Sequence, residues 1–288
     1  MSNIYFGVGL AGLAILLFPP FSFATLSVCN RDSHRLNQHI MALDKLQDST
    51  TQHFNKATLY IAAGCFKDAD NELAINLDTV QDEPVKADLK NQLMNNAKAL
   101  KRYTEIMQTL ESGQRDQVIT SLFELLDTNL STAVMWYTTM SLSDLLLENS
   151  TPEQWQRIEA KLQSLNKNDK FWQADRFISL KLVQQGKADL AITQLGGKLN
   201  ETQTLQRGYE RQAVLVDILV ADQRMLNARL FCMETNRAIG ENLLDPDLRL
   251  IYLKACQKAW DSAPADDREA KKISLIFDRA VSEYENQL

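Results

Sequence analysis

The sequence predicts an all-α protein, and three features of the chain carry that prediction. Beyond residue 30, apolar residues recur at steps of three and four along most of the chain, which is the spacing of one face of a helix. The four prolines of this region and several of its glycines fall at the ends of the periodic segments, where helices start and stop. No segment shows the sustained alternation of apolar and polar residues that strands show. We therefore expect antiparallel helical hairpins joined by short turns.

The longest predicted helix lies between Val85 and Leu110. Its apolar residues form one stripe, and at about 1.5 Å per residue the helix spans about 40 Å. The last predicted helix starts near Ala265 and repeats the pattern through Phe277 and Tyr284. Polar residues precede the prolines, which are therefore predicted in first helical turns, where a missing N–H costs no hydrogen bond. This pattern predicts about a dozen helices.

The first thirty residues predict export from the cytoplasm. Residues 4–28 contain no charged side chain, and a pair of prolines separates their apolar stretch from the small residues Ser22 and Ala24. This order is typical of a secretory signal peptide, so we assign residues 1–24 to one. Two alternatives remain: an uncleaved anchor, because the segment is long enough to span a bilayer, and a lipoprotein signal ending before Cys29. All three predict an extracytoplasmic protein, and we favour the periplasm.

A single helical domain is predicted over residues 25–288, with a soft boundary near residue 130. A chain of this length buries enough surface to fold without a structural metal. The net charge of −6 and the lack of a basic stripe argue against nucleic-acid binding, which depends on clustered Lys and Arg. We expect membrane contact only through the N-terminal segment, if that segment stays uncleaved.

The four cysteines form an even number, as is common in exported chains with disulfides. Cys29 precedes the first predicted helix and Cys65 follows the second, so both lie at one end of an antiparallel hairpin. Cys232 and Cys256 lie either side of a turn near residue 242, roughly level on adjacent helices. We predict the disulfides Cys29–Cys65 and Cys232–Cys256, each worth about 2–4 kcal/mol. The alternative is four buried free thiols, because cysteine is a common core residue.

A recurring pattern of small and large residues indicates that some hairpins are copies of one unit. In the two clear copies a glycine ends the first helix in a conformation that favours a residue without Cβ. Small residues lie where the helices cross, and larger residues fill the groove beside them. The first copy contains Ala57, Tyr60, Gly64, Phe66, Ala69 and Leu73, and the second contains Ser179, Leu182, Gly186, Ala188, Ala191 and Leu195. Fainter copies surround Gly113 and Ala228, and the copy around Ala228 has no glycine.

This pattern resembles the tetratricopeptide repeat, a helix–turn–helix unit with small, aromatic, glycine, alanine and large apolar residues at these positions. The resemblance implies that the hairpins stack into a degenerate α-solenoid, an architecture whose concave surface holds other proteins. The alternative is an irregular helical bundle in which the two small-residue crossings resemble each other by chance.

No constellation of residues predicts catalysis or a cofactor. His34, His39 and His53 lie near Cys29 and Cys65 in the first hairpin. However, His34 and His39 are five residues apart, whereas metal-binding pairs on a helix are four apart. Oxidised cysteines would also be unavailable as ligands, because a metal binds the thiolate. The sequence has neither a nucleophile elbow nor a glycine-rich phosphate loop. We therefore predict no metal, no cofactor and no enzymatic activity.

Trp155 and Trp172 flank a predicted turn between two helices. They are either core anchors or the edge of a binding face, because Trp is enriched in interface hot spots. The export signal, the repeat-like hairpins and the lack of a catalytic motif predict an envelope scaffold or assembly factor that binds other envelope proteins. The alternative is an enzyme, or an enzyme accessory domain, that acts on envelope material such as peptidoglycan.

Overall fold

The structure is a computed structural model that describes residues 29, 34–45, 49–82, 87–110, 112–128, 130–167, 171–200, 205–238, 244 and 246–285. Within these ranges the protein is all-α, as predicted, and contains no strand. The helices are α1 (His34–Leu43), α2 (Ser49–Ala62), α3 (Phe66–Asp82), α4 (Ala87–Leu110), α5 (Arg115–Leu126), α6 (Thr132–Glu148), α7 (Pro152–Leu165), α8 (Trp172–Gln184), α9 (Ala188–Asn200), α10 (Leu205–Ala221), α11 (Met225–Ala238), α12 (Pro246–Asp261) and α13 (Arg268–Glu285). None of them is both long and apolar enough to cross a membrane. The predicted signal peptide, residues 1–24, lies outside the described residues.

The start of α7 shows how the sequence sets a helix end. Pro152 occupies the first turn, as predicted. The Thr151 side chain accepts the Gln154 N–H at 3.2 Å, and the Gln154 side chain accepts the Thr151 N–H at 2.9 Å. This reciprocal capping box satisfies two backbone donors that have no partner inside the helix.

The start of α13 differs slightly from the prediction near residue 265. The helix begins at Arg268 because the Asp267 carboxylate accepts the N–H groups of Glu269 and Ala270, at 3.1 and 3.0 Å. An aspartate in this position is a strong helix cap. Pro264 therefore lies four residues before the helix and outside its first turn, so the first-turn prediction is wrong for this proline.

The chain divides into two compact units, Met1–Leu145 (unit 1) and Leu146–Leu288 (unit 2). The division falls inside α6, so no linker marks it in the sequence. The prediction of one domain over residues 25–288, with a boundary near 130, stays a prediction.

In unit 1 each helix from α1 to α4 packs against the next one in sequence. A small cluster of buried leucines joins α1 to α2. Tyr103 of α4 is fully buried, and its hydroxyl lies 2.7 Å from the Oγ atom of Ser141 in α6. Burial raises the pKa of Tyr103, and it raises the pKa of the neighbouring Tyr137 to about 12. Both phenols therefore stay protonated at neutral pH.

In unit 2 the helices after α7 form three successive pairs, α8–α9, α10–α11 and α12–α13. The first helices of the pairs pack in a row, α8 against α10 and α10 against α12. Helix α9 packs against both α8 and α10, and α11 packs against both α10 and α12, so the second helices form another layer. One apolar core runs through all three pairs. This staggered packing is compatible with a stack of helical hairpins.

Candidate protein-binding surface

The hairpin turns of the two predicted copies share one backbone geometry. Gly64 and Gly186 have φ angles of 72° and 73°. In both turns the residue after the glycine donates its N–H to the carbonyl five residues earlier, at 2.8 Å. These bonds join Cys65 to Tyr60 and Lys187 to Leu182. A left-handed residue with this backward bond is a standard helix ending, so the turn is repeated in structure as well as in sequence.

The turn between α10 and α11 has the same geometry without a glycine. Gln223 has a φ of 59°, and the Arg224 N–H donates to the Leu219 carbonyl at 2.8 Å. In the described part of the chain, Gln223 is the sole non-glycine residue with a positive φ. The faint copy around Ala228 is therefore a third copy of this turn, with glutamine at the glycine position.

The buried positions that follow these turns also repeat. An alanine lies five residues after the left-handed residue, and a second side chain lies nine residues after it; both are buried in all three copies. The alanines are Ala69, Ala191 and Ala228, and the later residues are Leu73, Leu195 and Cys232. Ala57 is buried as well, whereas Tyr60 and Leu182 are partly exposed. Buried side chains this small allow the paired helices to pack closely at these positions.

Trp155 and Trp172 are buried, with 5% and 6% of their surface exposed. The Nζ atom of Lys181 lies 5.1 Å from the centroid of the Trp155 ring and donates to the Leu147 carbonyl at 2.8 Å. Trp172 belongs to the apolar core of unit 2. Both rings are therefore packed as core anchors, and a role at the edge of a binding face stays a prediction.

Both predicted disulfides are present, and no described cysteine is free. Cys29–Cys65 holds residue 29 at the α2–α3 turn. Cys232–Cys256 joins α11 to α12 and is fully buried. The Tyr252 hydroxyl donates to the Cys232 carbonyl at 2.9 Å beside this bond. Disulfides persist in oxidising compartments, which agrees with an extracytoplasmic location.

The sulfur atoms of Cys29 and Cys65 and a carboxylate oxygen of Asp68 lie within 4.8 Å of one another, close enough to share a metal ion. The two sulfur atoms are bonded to each other, however, so they lack the thiolates that a metal would need. The Nδ1 atom of His53 lies 2.6 Å from the Oε2 atom of Glu72. That histidine therefore has a carboxylate partner instead of a cysteine.

The enzyme alternative predicts a carboxyl group with a raised pKa in a cleft. Asp44 and Glu153 each have a pKa below the ordinary value of a carboxyl group. A hydrogen bond from Lys56 lowers the pKa of Asp44, and hydrogen bonds from its own backbone N–H and from Thr151 lower that of Glu153. Each carboxylate is stabilised as an anion, the opposite of what a general acid needs.

A buried network of charged residues connects the first two pairs of unit 2. Asp175 of α8 lies 2.6 Å from Lys198 of α9 and 2.6 Å from Arg207 of α10. Arg211 approaches the same carboxylate to 3.8 Å and donates to the Lys198 carbonyl. Arg207 also pairs with Glu210 at 3.0 Å. The network holds together the start of α8, the end of α9 and the start of α10. Separating these helix ends would leave the buried Asp175 carboxylate without its cations, which is strongly unfavourable.

The exposed apolar side chains of unit 2 all lie on the second helices of the pairs. Among the described residues, large hydrophobic side chains are exposed on α9, α11 and α13 and not on α8, α10 or α12. They are Leu190, Leu226, Leu230, Met233, Leu275 and Ile276. The α11 residues are 65%, 60% and 40% exposed and lie at positions i, i+4 and i+7 of one helix face. We call Leu226, Leu230 and Met233 the α11 stripe.

The α11 stripe points outward because the opposite face of the helix carries small buried side chains and a cysteine that is bonded to α12. Ala228 and Cys232 are fully buried, and Cys232 is bonded to α12. Arg229 lies over the Trp260 ring, with 5.8 Å between its guanidinium carbon and the ring centroid. Arg224, just before α11, pairs with Asp189 at the start of α9, at 2.5 Å. These contacts fix the rotation of the helix and leave its larger apolar residues in solvent.

No protein-family model matches the chain, and no curated protein or solved structure is significantly similar to it. The function of the α11 stripe therefore has to be inferred from its own geometry.

Proposed function

We propose that the protein is an extracytoplasmic scaffold or assembly factor, and that the α11 stripe binds an amphipathic helix of another envelope protein. We also propose that unit 2 is a degenerate solenoid of the tetratricopeptide type. The observation that carries the binding proposal is the exposed row formed by Leu226, Leu230 and Met233. The repeated turn geometry at Gly186 and Gln223 supports the solenoid.

The spacing of the stripe fits a helical partner. Apolar residues at i, i+4 and i+7 are the anchors by which one helix packs along another. Burying a large apolar side chain contributes about 1.5–3 kcal/mol, so three of them supply roughly 4–9 kcal/mol before the cost of association. A complex of micromolar affinity needs about 8 kcal/mol. The stripe therefore suits a reversible complex in which rim contacts add to the apolar ones.

A site-specific cross-linking experiment tests the binding proposal. A photo-cross-linking amino acid at Leu230 is expected to give one discrete adduct in an exporting host, and Leu226→Ser with Met233→Ser should remove it. The matched control places the same cross-linker at Ile75, which is 47% exposed on α3 in unit 1. Equal adducts from both positions, or adducts that survive the serine substitutions, would refute a specific role for the stripe.

The proposed compartment has its own test in the intact mass of the protein from an exporting host. Loss of residues 1–24 and a gain of about 4 Da on reduction, one per thiol as two disulfides open, are expected. A full-length mass that does not change on reduction would contradict an oxidised, processed protein. This result does not depend on the partner, so it separates errors in localisation from errors in binding.

A further inference from the structure

The outward face of α13 combines exposed apolar residues with a cluster of cations. Leu275 and Ile276 are 66% and 59% exposed. The other side of the helix is buried through Phe277 and Val281, which belong to the core of unit 2. Packing in the core thus accounts for one side of α13 and leaves these two large side chains in solvent.

Four exposed cations surround Leu275 on this face. They lie seven, four and three residues before it and four residues after it, and all of these spacings share one side of a helix. The cations are Arg268, Lys271, Lys272 and Arg279. In a chain of net charge −6, this face carries four cations and one exposed anion, Glu283, at its C-terminal end.

The cations are available to an external anion. Arg268, Lys271 and Arg279 make no side-chain ion pair with any described residue, and Lys272 has one contact, with Glu269 at 3.4 Å. Both members of that pair are 73% exposed, so water screens their attraction. By contrast, Arg176 in the same unit is held by Asp217 at 2.7 Å. Binding an anion at α13 therefore requires little or no loss of existing ion pairs.

We propose that this face of α13 binds the surface of an anionic phospholipid bilayer. Lipid phosphates would pair with the four cations, while Leu275 and Ile276 enter the boundary between headgroups and acyl chains. Cations and large exposed apolar side chains on one helix face are the combination by which helices lie on an anionic bilayer surface. The contact is independent of the α11 stripe and of any protein partner.

Vesicle binding by the full chain tests this proposal. Vesicles of phosphatidylcholine and phosphatidylglycerol, mixed about three to one, are expected to bind the protein more tightly than pure phosphatidylcholine vesicles. Added salt should weaken this binding, because it screens the charges. Replacing Lys271, Lys272 and Arg279 by Gln should lower the partition coefficient at least about tenfold, since each cation near an anionic surface contributes severalfold. Leu275→Ser with Ile276→Ser should also lower it, even at low salt.

The matched control removes the same charge elsewhere in unit 2, through Gln substitutions at Lys161, Lys167 and Lys187, and should bind like the parent. Hydrogen–deuterium exchange should show protection of α13 by anionic vesicles, which separates this contact from binding through the apolar N-terminal segment. Equal loss in the control and α13 variants, or unchanged exchange in α13, would overturn the proposal. Binding of polyglutamate without binding of vesicles would also overturn it and assign the face to an acidic protein.

Discussion

The α8–α9 and α10–α11 pairs of unit 2 have the same turn geometry. They differ in their turn residue, in their connection to the next pair and in their outer face. Both turn through a left-handed residue followed by the same backward hydrogen bond, and both bury an alanine five residues later. The left-handed residue is Gly186 in one pair and Gln223 in the other. Packing as a pair therefore requires the left-handed turn and the small buried residue that follows it. The residue types at the other positions can vary.

The two pairs are also connected to their successors by different chemistry. A buried ionic network around Asp175 ties the first pair to α10, whereas the Cys232–Cys256 disulfide ties the second pair to α12. Their outer faces differ as well, since among the described side chains α9 exposes one large apolar residue and α11 exposes three. Four variants measure how much the turn residues and the two connections contribute to stability.

The largest effect is expected from Asp175→Asn. This change leaves Lys198, Arg207 and Arg211 without the carboxylate they surround, and uncompensated buried charge typically costs about 3–5 kcal/mol. Urea unfolding of the variant measures the loss. The control is Asp217→Asn, which removes the partner of Arg176 in a more exposed ion pair and should cost about 1 kcal/mol or less. Similar losses in both variants would contradict a special role for the buried network.

Replacing Cys232 and Cys256 together by Ser should reduce the free energy of unfolding of unit 2 by about 3 kcal/mol, because the disulfide closes a loop of 24 residues. The control is the double Ser variant of Cys29 and Cys65, whose disulfide lies in unit 1. Hydrogen exchange distinguishes the two variants, since each should accelerate exchange mainly in the unit that has lost its disulfide. Faster exchange in both units from either variant would show that the units do not unfold separately.

Gly186→Gln is expected to lower the free energy of unfolding by a smaller amount, about 1 kcal/mol, because a side chain disfavours the left-handed conformation. An added Cβ at Gly186 would meet no atom within 4 Å, so the cost arises from the backbone and not from a clash. Gly197→Ala is the control. It also has open space around it, but it lies inside α9, where alanine should stabilise the helix by up to about 1 kcal/mol. Thermal unfolding should therefore shift in opposite directions.

The smallest effect is expected from Gln223→Gly, which should raise the free energy of unfolding by about 0.5–1 kcal/mol. The change removes the side chain that disfavours a φ of 59°. Gln185→Gly provides the comparison, because Gln185 has a φ of −80° and glycine there only adds entropy to the unfolded chain. The first variant should raise the midpoint of denaturation and the second should lower it. A loss in both would mean that the Gln223 side chain contributes contacts worth more than the backbone strain.

The repeated turns show where sequence reasoning succeeds. Gly64 and Gly186 could be located because a left-handed helix end favours a residue without Cβ, and the disulfide pairing followed from where helix ends meet in a hairpin. Gln223 could not be found in this way, because the backbone hydrogen bonds of the turn hold it in a conformation that its own preference disfavours. Trp155 and Trp172 were equally ambiguous, since the same side chain serves as a core anchor or as an interface anchor.

The α11 stripe separates what the sequence determined from what only the tertiary structure decided. The sequence by itself determined the helices, the hairpin ends and the cysteine pairs, because these depend on local periodicity, capping and chain geometry. It could not determine which side of α11 is buried, since Leu226 and Leu230 have the spacing of an ordinary core stripe. The tertiary structure buries Ala228 and Cys232 instead, because small side chains and a disulfide let α11 approach its neighbours closely. The larger residues are left in solvent, where another molecule can reach them.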